Sequence, residues 1–153
     1  MCRLSRDKRK KIALFGLLFL LDQLTKFYFS KILLFGESIS IINNIFHITL
    51  VYNKGAAFGI FQGKVFLFII VSILAIYLIL LNIKHKDISF NWILILAGAC
   101  GNLLDRLRLG YVVDFLDFRI WPVFNIADSY ITIGIFLIIL DLLKNKKDVS
   151  DSI

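Results

Sequence analysis

A chain of 153 residues that is 59% hydrophobic, with 15 Phe and a single Pro, holds more apolar surface than one small water-soluble core can hide. Its formal net charge of +7 sits at the ends of apolar runs rather than along one basic face, which argues against a nucleic-acid partner and for a membrane protein. Cys2 lies in the basic amino-terminal segment and Cys100 inside an apolar run, so neither a disulfide nor a Cys-based metal site is expected.

The chain opens on MCRLSRDKRKK and then turns apolar, as a signal peptide does. The run meets Asp22 and Lys26 and shows no small-residue cleavage site at its end, so a retained transmembrane helix over about 12–30 is expected. Next comes a segment in which Phe46, Ile48, Leu50 and Tyr52 alternate with His47, Thr49 and Val51, separated by Asn43 and Asn44 from a shorter run over 39–42. This pattern predicts a small hairpin or curled sheet within about 38–62, with GAAFG at 55–59 providing tight turns or close approach to a ligand. Further apolar runs over 65–83, 92–109 and 126–143 approach the roughly 20 residues that cross a bilayer.

Lys and Arg flank these runs in the amino-terminal tail, at Lys84 and Lys86 between the second and third, and at Lys144, Lys146 and Lys147 after the fourth. Four spans place all three basic segments on one side, the cytoplasmic one. The expected fold is therefore an all-α membrane protein, a single domain over 1–153 with four transmembrane helices, a small outer-face β-hairpin and both termini cytoplasmic. The tail from Lys146 onward reads as solvated and frayed.

Ionisable residues at mid-membrane cost about 2.5–3.5 kcal/mol, so those present face protein interior or a wet cavity. Here they gather near the outer ends of the helices. Asp22 and Lys26, four apart on one helix face, read most simply as an internal ion pair. Asn102, Asp105 and Arg106 share a face of the third helix, where an interfacial anchor and a functional role are equally open. Asp141, three residues before Lys144, reads as an interfacial pair.

Asp114 follows the break at Gly110 and is flanked by Val112, Val113, Phe115 and Leu116, neighbours that desolvate a carboxyl and help it keep a proton. A hydrogen-bonded turn residue in an apolar loop is the plainer reading of Asp114 alone. Asn125 and Asp128 have the spacing of a capping box at the start of the fourth helix, where the helix dipole favours a negative charge. A protonated Asp114 facing an ionised Asp128 is the asymmetry an aspartic protease dyad needs. Asp117, near Arg119, reads as an exposed ion-pair partner.

No HExxH run occurs, and His47 and His85 are expected on opposite sides of the membrane, so no metal and no Ser or Cys nucleophile with a His base is expected. A proton-coupled transporter would spread its carboxylates through the membrane, and a lipid-binding chaperone would need no carboxylate pair.

The blocks DQLTK at 22–26, NKGAAFG at 53–59, GNLLDR to VVDF over 101–115 and FNIADS at 124–129 run in an order that resembles the lipoprotein signal peptidase (signal peptidase II) family. The resemblance spans most of the chain. It implies an aspartic endopeptidase of the bacterial cytoplasmic membrane that needs no cofactor. Such an enzyme acts on prolipoproteins just before a diacylglyceryl-modified cysteine, with membrane lipids around it and its active site toward the outer leaflet. The motifs carry the catalytic pair onto Asp114 and Asp128, and supporting or substrate-binding roles onto Asp22, Lys26, Asn53, Gly55, Asn102, Asp105, Arg106, Asn125 and Ala127. The hairpin corresponds to the family's β-cradle. Two departures are the short connection DFLDFRIWPVFN and Tyr130 after the ADS run, where a small residue is expected.

Overall fold

The computed structural model describes residues 5–55, 63–83 and 88–150. Arg3, Cys2, Lys84, His85, Lys86 and the GAAFG run beyond Gly55 lie outside the described residues, as do the side chains of Lys146 and Lys147. Among the described residues are four helices and one antiparallel sheet: α1 (Arg6–Ile32), β1 (Ser38–Ile42), β2 (Phe46–Asn53), α2 (Val65–Ile83), α3 (Phe90–Leu109), β3 (Val112–Asp117) and α4 (Ile126–Ser150).

Helix α1 begins six residues before the apolar run because Ser5 caps it, its hydroxyl accepting from the Lys8 N–H, and an Asp7–Lys11 pair spans the first turn at 2.6 Å. Helix α4 likewise continues to Ser150, so the part of the expected tail from Lys146 to Ser150 is helical. By length and composition α1 and the 126–144 part of α4 are long and apolar enough to cross a membrane, and α2 carries a shorter apolar run.

Helix α3 is central and packs against each of the other three, most extensively against α4. Small residues make that approach possible. A Cβ at Gly98 would run into the Ala127 carbonyl oxygen and lie 2.8 Å from Ile131, while one at Gly134 would lie 2.6 Å from Ile95. Burial in α1 is inverted relative to a water-soluble helix. Its buried residues are Asp22 and Lys26, at 0% and 3% exposure, whereas Leu24 and Phe27 are 61% and 64% exposed. Water is a poor solvent for such a face and hydrocarbon a good one, which makes this a membrane protein.

The sheet has the order β1-β2-β3, one strand more than the hairpin read from sequence. The expected hairpin is β1 with β2, turning at Asn44 with φ 61°. The third strand was hidden because VVDFLD has buried residues on both faces and so lacks the alternation that marks a half-exposed strand. Asp114 therefore belongs to a paired strand, not to a loop. Gly110, left-handed at φ 76°, ends α3 with its N–H on the Arg106 carbonyl and turns the chain directly into β3.

Between Ile48 and Val51 the β2–β3 register slips by one residue: His47 pairs with Asp117 but Val51 pairs with Asp114. The slip has a consequence for polar contacts. Asp114 and Asp117, three apart, point to opposite faces of their own strand, yet both are met by odd-numbered residues of β2, Asn53 and Thr49 respectively. Beneath the sheet, Leu33, Ile48, Leu50, Val113 and Phe115 form one apolar cluster with Phe29.

Gly98→Ala is expected to lower the thermal midpoint of the detergent-solubilised protein by the equivalent of about 1–3 kcal/mol, because its obstacle is backbone that cannot rotate aside. Gly16→Ala, whose Cβ meets nothing within 4 Å, is the control and should leave the midpoint level or slightly higher.

Candidate active site

The start of α4 organises the site. Asn125 and Asp128 form a reciprocal cap: the Asn125 Oδ1 accepts from the Asp128 N–H at 2.9 Å, and Asp128 Oδ2 accepts from the Asn125 N–H at 3.3 Å. Because its oxygen is engaged in the cap, the Asn125 side-chain amide nitrogen points away from the helix. It donates to Asp114 Oδ1 at 2.6 Å and to Asn102 Oδ1 at 3.2 Å. Asn125 thus touches both carboxylates and is itself fully buried.

Asp114 is 1% exposed. Its second oxygen accepts from the Asn53 side-chain amide at 2.9 Å, and the Asn53 oxygen is in turn engaged by the Gly55 N–H at 2.9 Å. Each Asp114 oxygen thus takes one amide donor and keeps lone-pair capacity for a proton or a water. Burial, and then the neighbouring charge of Asp128, push the Asp114 carboxyl up to about 7, against the opposing hydrogen bonds from Asn53 and Asn125.

Asp128 Oδ1 accepts from the Asn102 amide at 2.7 Å. The oxygen of Asn102 receives the Lys26 ammonium at 2.8 Å, so its orientation is set from behind. Lys26 also meets Asp22 and Asp105, each at 3.0 Å. Asp22 reaches onward to the Ala127 N–H of α4 at 3.1 Å, and Asp105 to the Val113 N–H of β3 at 3.2 Å. The pair Asp22 and Lys26 is an ion pair, as its spacing suggested, but one shared with α3 and tied to two further elements.

The two carboxylates line one cavity of about 340 Å³ together with Asn53, Gly55, Asn102 and Arg106. Arg106 also lies over the Phe68 ring, 5.2 Å from its centroid. Trp121, Pro122, Val123 and Phe124 also line it, with Phe68, Val112 and Thr132 completing the lining. A second, more apolar cavity of about 540 Å³ adjoins it, sharing Trp121, Phe124, Asp128 and Thr132 and reaching Phe118, Ile120 and Ile133.

All eleven residues singled out from the sequence belong to this constellation or to the polar cluster behind it. The sequence reading passed over Gln23, whose side-chain amide reaches Asp22 Oδ2, Asp105 Oδ1 and the Gly101 carbonyl at 3.0–3.3 Å, and also Thr132 on the cavity wall. A polar residue inside an apolar helical run was the signal for both. Asp117 differs from its expected role: it is buried, 5% exposed, rather than an exposed partner. Asp141 accepts from Asn91 of α3 at 2.8 Å, a cross-helix partner that spacing did not suggest.

Ser129 and His47, the candidates for a Ser–His pair, each have another partner. The Ser129 hydroxyl donates to the Asn125 carbonyl at 3.1 Å, and His47 Nδ1 lies 3.2 Å from the Ser38 hydroxyl on the sheet. Cys100 is a free, half-buried thiol. No group of three His, Cys, Asp or Glu side chains suited to a metal ion occurs among the described residues.

Fold and site together define a helical membrane protein with two carboxylates lining one cavity. A family model described as signal peptidase (SPase) II matches residues 14–144. The chain belongs to the signal peptidase II family and is a protease of that type. It is similar to the lipoprotein signal peptidase of Halothermothrix orenii, 48% identical over 84% of this chain and 91% of that protein. That of Clostridioides difficile is 48% identical over 83% and 90%, and that of Syntrophus aciditrophicus 40% over 88% and 92%. A bacterial membrane enzyme solved by the in meso method at 2.3 Å resolution superposes with a TM-score of 0.83 at 36% identity, covering 91% of this chain and 90% of that one.

Lys26→Met leaves two buried carboxylates without their cation and is expected to cost about 3–5 kcal/mol, seen as a large drop in thermal midpoint or loss of monodisperse protein on gel filtration. A midpoint unchanged from the parent would remove the cluster from its structural role.

Proposed function

We propose that the chain removes signal peptides from diacylglyceryl-modified prolipoproteins by aspartic catalysis, with Asp114 and Asp128 as the reacting pair. The observation that carries this reading is that Asn125 donates to both carboxylates, by its side-chain amide to Asp114 and by its backbone N–H to Asp128, while both line the same cavity. The peptide bond just before the lipidated cysteine is the one broken.

In this mechanism Asp128, at the positive end of the α4 dipole, is the ionised base, and Asp114 holds the proton. A water in the cavity gives a proton to the Asp128 carboxylate as its oxygen attacks the scissile carbonyl carbon. The Asp114 carboxylic acid donates a hydrogen bond to the carbonyl oxygen as negative charge develops there. The tetrahedral intermediate collapses when the proton held on Asp128 passes to the departing amine nitrogen and the C–N bond breaks. Asn53, Asn102 and Asn125 hold the two carboxyls so that little reorganisation accompanies the charge movement.

The chain acts as one domain in the bacterial cytoplasmic membrane, with α1 to α4 as four spans, both termini cytoplasmic and the sheet at the outer surface. Basic flanking residues support that orientation, and so does the exposed apolar surface on α1, α2 and α4. Membrane lipids surround those faces. The substrate's acyl chains keep it in the bilayer, each buried CH₂ contributing about 0.8 kcal/mol, so the precursor arrives laterally. The apolar cavity adjoining Asp128 offers an approach from that direction.

Asp114→Asn and Asp128→Asn, purified separately, are each expected to reduce cleavage of a lipid-modified precursor by at least about 10²-fold, scored by gel shift. Undiminished cleavage by either variant would sink the dyad. Because the raised Asp114 carboxyl keeps its proton up to about 7 and must be protonated to act, the parent rate should fall as pH rises through about 7. A rate level across that range would transfer the acid role to another group.

A further inference from the structure

We propose that Asp117 and Arg119 form a latch that fixes the 121–124 wall of the catalytic cavity and so sets how tightly the precursor is held. The proposal rests on the reading of Asp114 and Asp128 as the reacting pair. Asp117 is a buried carboxylate that the chemistry does not use. It ends β3, and its oxygens take three donors: the Thr49 hydroxyl at 2.7 Å, the Arg119 N–H at 2.8 Å and the Arg119 guanidinium at 3.1 Å. These hydrogen bonds outweigh burial and hold the carboxyl below the usual carboxylate range.

Arg119 needs such support. Its φ of 64° lies in the left-handed region, and the Ile120 N–H closes onto the Phe118 carbonyl at 2.7 Å, a three-residue turn centred on Arg119. Phe118, where the turn begins, packs on the Phe46 and Phe124 rings, but Ile120, where it ends, is 93% exposed, so packing alone does not hold the turn. The Asp117 carboxylate does so by engaging both the main chain and the side chain of the strained residue.

Beyond the turn the chain doubles back along β3. The Phe124 carbonyl accepts from the Phe115 and Leu116 N–H groups at 2.9 and 2.7 Å, and its own N–H returns to Leu116 at 3.0 Å. The latch and this bridge both tie the connection down. Trp121, Pro122 and Val123 lie between them in the chain and line the cavity that holds the two carboxylates. The short link that sequence marked as a departure is therefore a tethered wall with one strained hinge. Thr49, bonded in turn to Ser38 at 2.8 Å, carries the tether across to β1.

Loss of the latch should loosen the wall while leaving the Asn125 and Asn53 contacts of the dyad in place. Steady-state cleavage of a diacylglyceryl-modified precursor peptide by the full-length protein in detergent–phospholipid micelles tests this. Asp117→Ala is expected to raise KM about tenfold with kcat within about twofold, since binding geometry and not chemistry is changed. Adding Arg119→Gly, which lets the turn adopt its φ without strain, should bring KM back to within about threefold of the parent. Asp117→Asn keeps an acceptor for the Arg119 N–H and should give a smaller rise, which also covers the case in which the Ala variant does not fold. An unchanged KM in Asp117→Asn and Asp117→Ala, a loss confined to kcat, or a KM rise that glycine does not reverse overturns the latch. Failure of the dyad would instead appear as activity retained in Asp114→Asn or Asp128→Asn.

Discussion

The buried ammonium of Lys26 is the interaction on which the remaining arrangement depends. It lies among two carboxylates and an amide, contributed by α1 and α3, at 2.8–3.0 Å. Each of those partners also bonds outward: Asp22 and Asn102 to the first turn of α4, at Ala127 and Asp128, and Asp105 to β3. In a low-dielectric interior an unmet polar group is costly, so a network whose members are all engaged has few other ways to be satisfied. The cluster therefore works as a registration device for three helices and a strand.

That registration extends to the two carboxylates of the cavity. Asn102 and Asn125 each carry both a donor and an acceptor, and in each case the partner of one end dictates where the other end points. Asp114 sits at the far end of this chain of amides with no cation bonded to it, which is why burial and the Asp128 charge prevail and its carboxyl retains a proton near neutrality. Asp128 occupies a helix N-terminus that favours its negative form. Two chemically identical side chains acquire different surroundings from where the backbone leaves them.

The sheet supplies the second half of the geometry. Without the register slip in β2, Asn53 and Thr49 would not serve carboxylates that lie on opposite faces of β3. The slip cannot be read from VYN or FHITL, because it results from pairing with β3, whose pattern is buried on both sides. For the same reason Asp114 and Asp117 looked like loop residues, and Asp117 looked exposed. The helices were far more legible. Their long apolar runs and basic flanks have few alternative meanings, and the boundaries moved mainly where a cap such as Ser5 carried α1 outward past the apolar run.

The amino-acid sequence by itself determined the apolar runs, the basic segments beside them, the motif order that resembles signal peptidase II and the capping box at Asn125, because each depends on neighbours within a few residues or on bulk partitioning. Only the tertiary structure decided which polar groups meet. Gln23 joining the ion cluster, β3 completing the sheet and the burial of Asp117 join segments tens of residues apart, and Asn125 meets Asp114 across a turn of the chain eleven residues long. Sequence spacing can put a carboxylate on a helix face or a strand. Its protonation and its partner follow from the desolvation and the distances that packing alone creates.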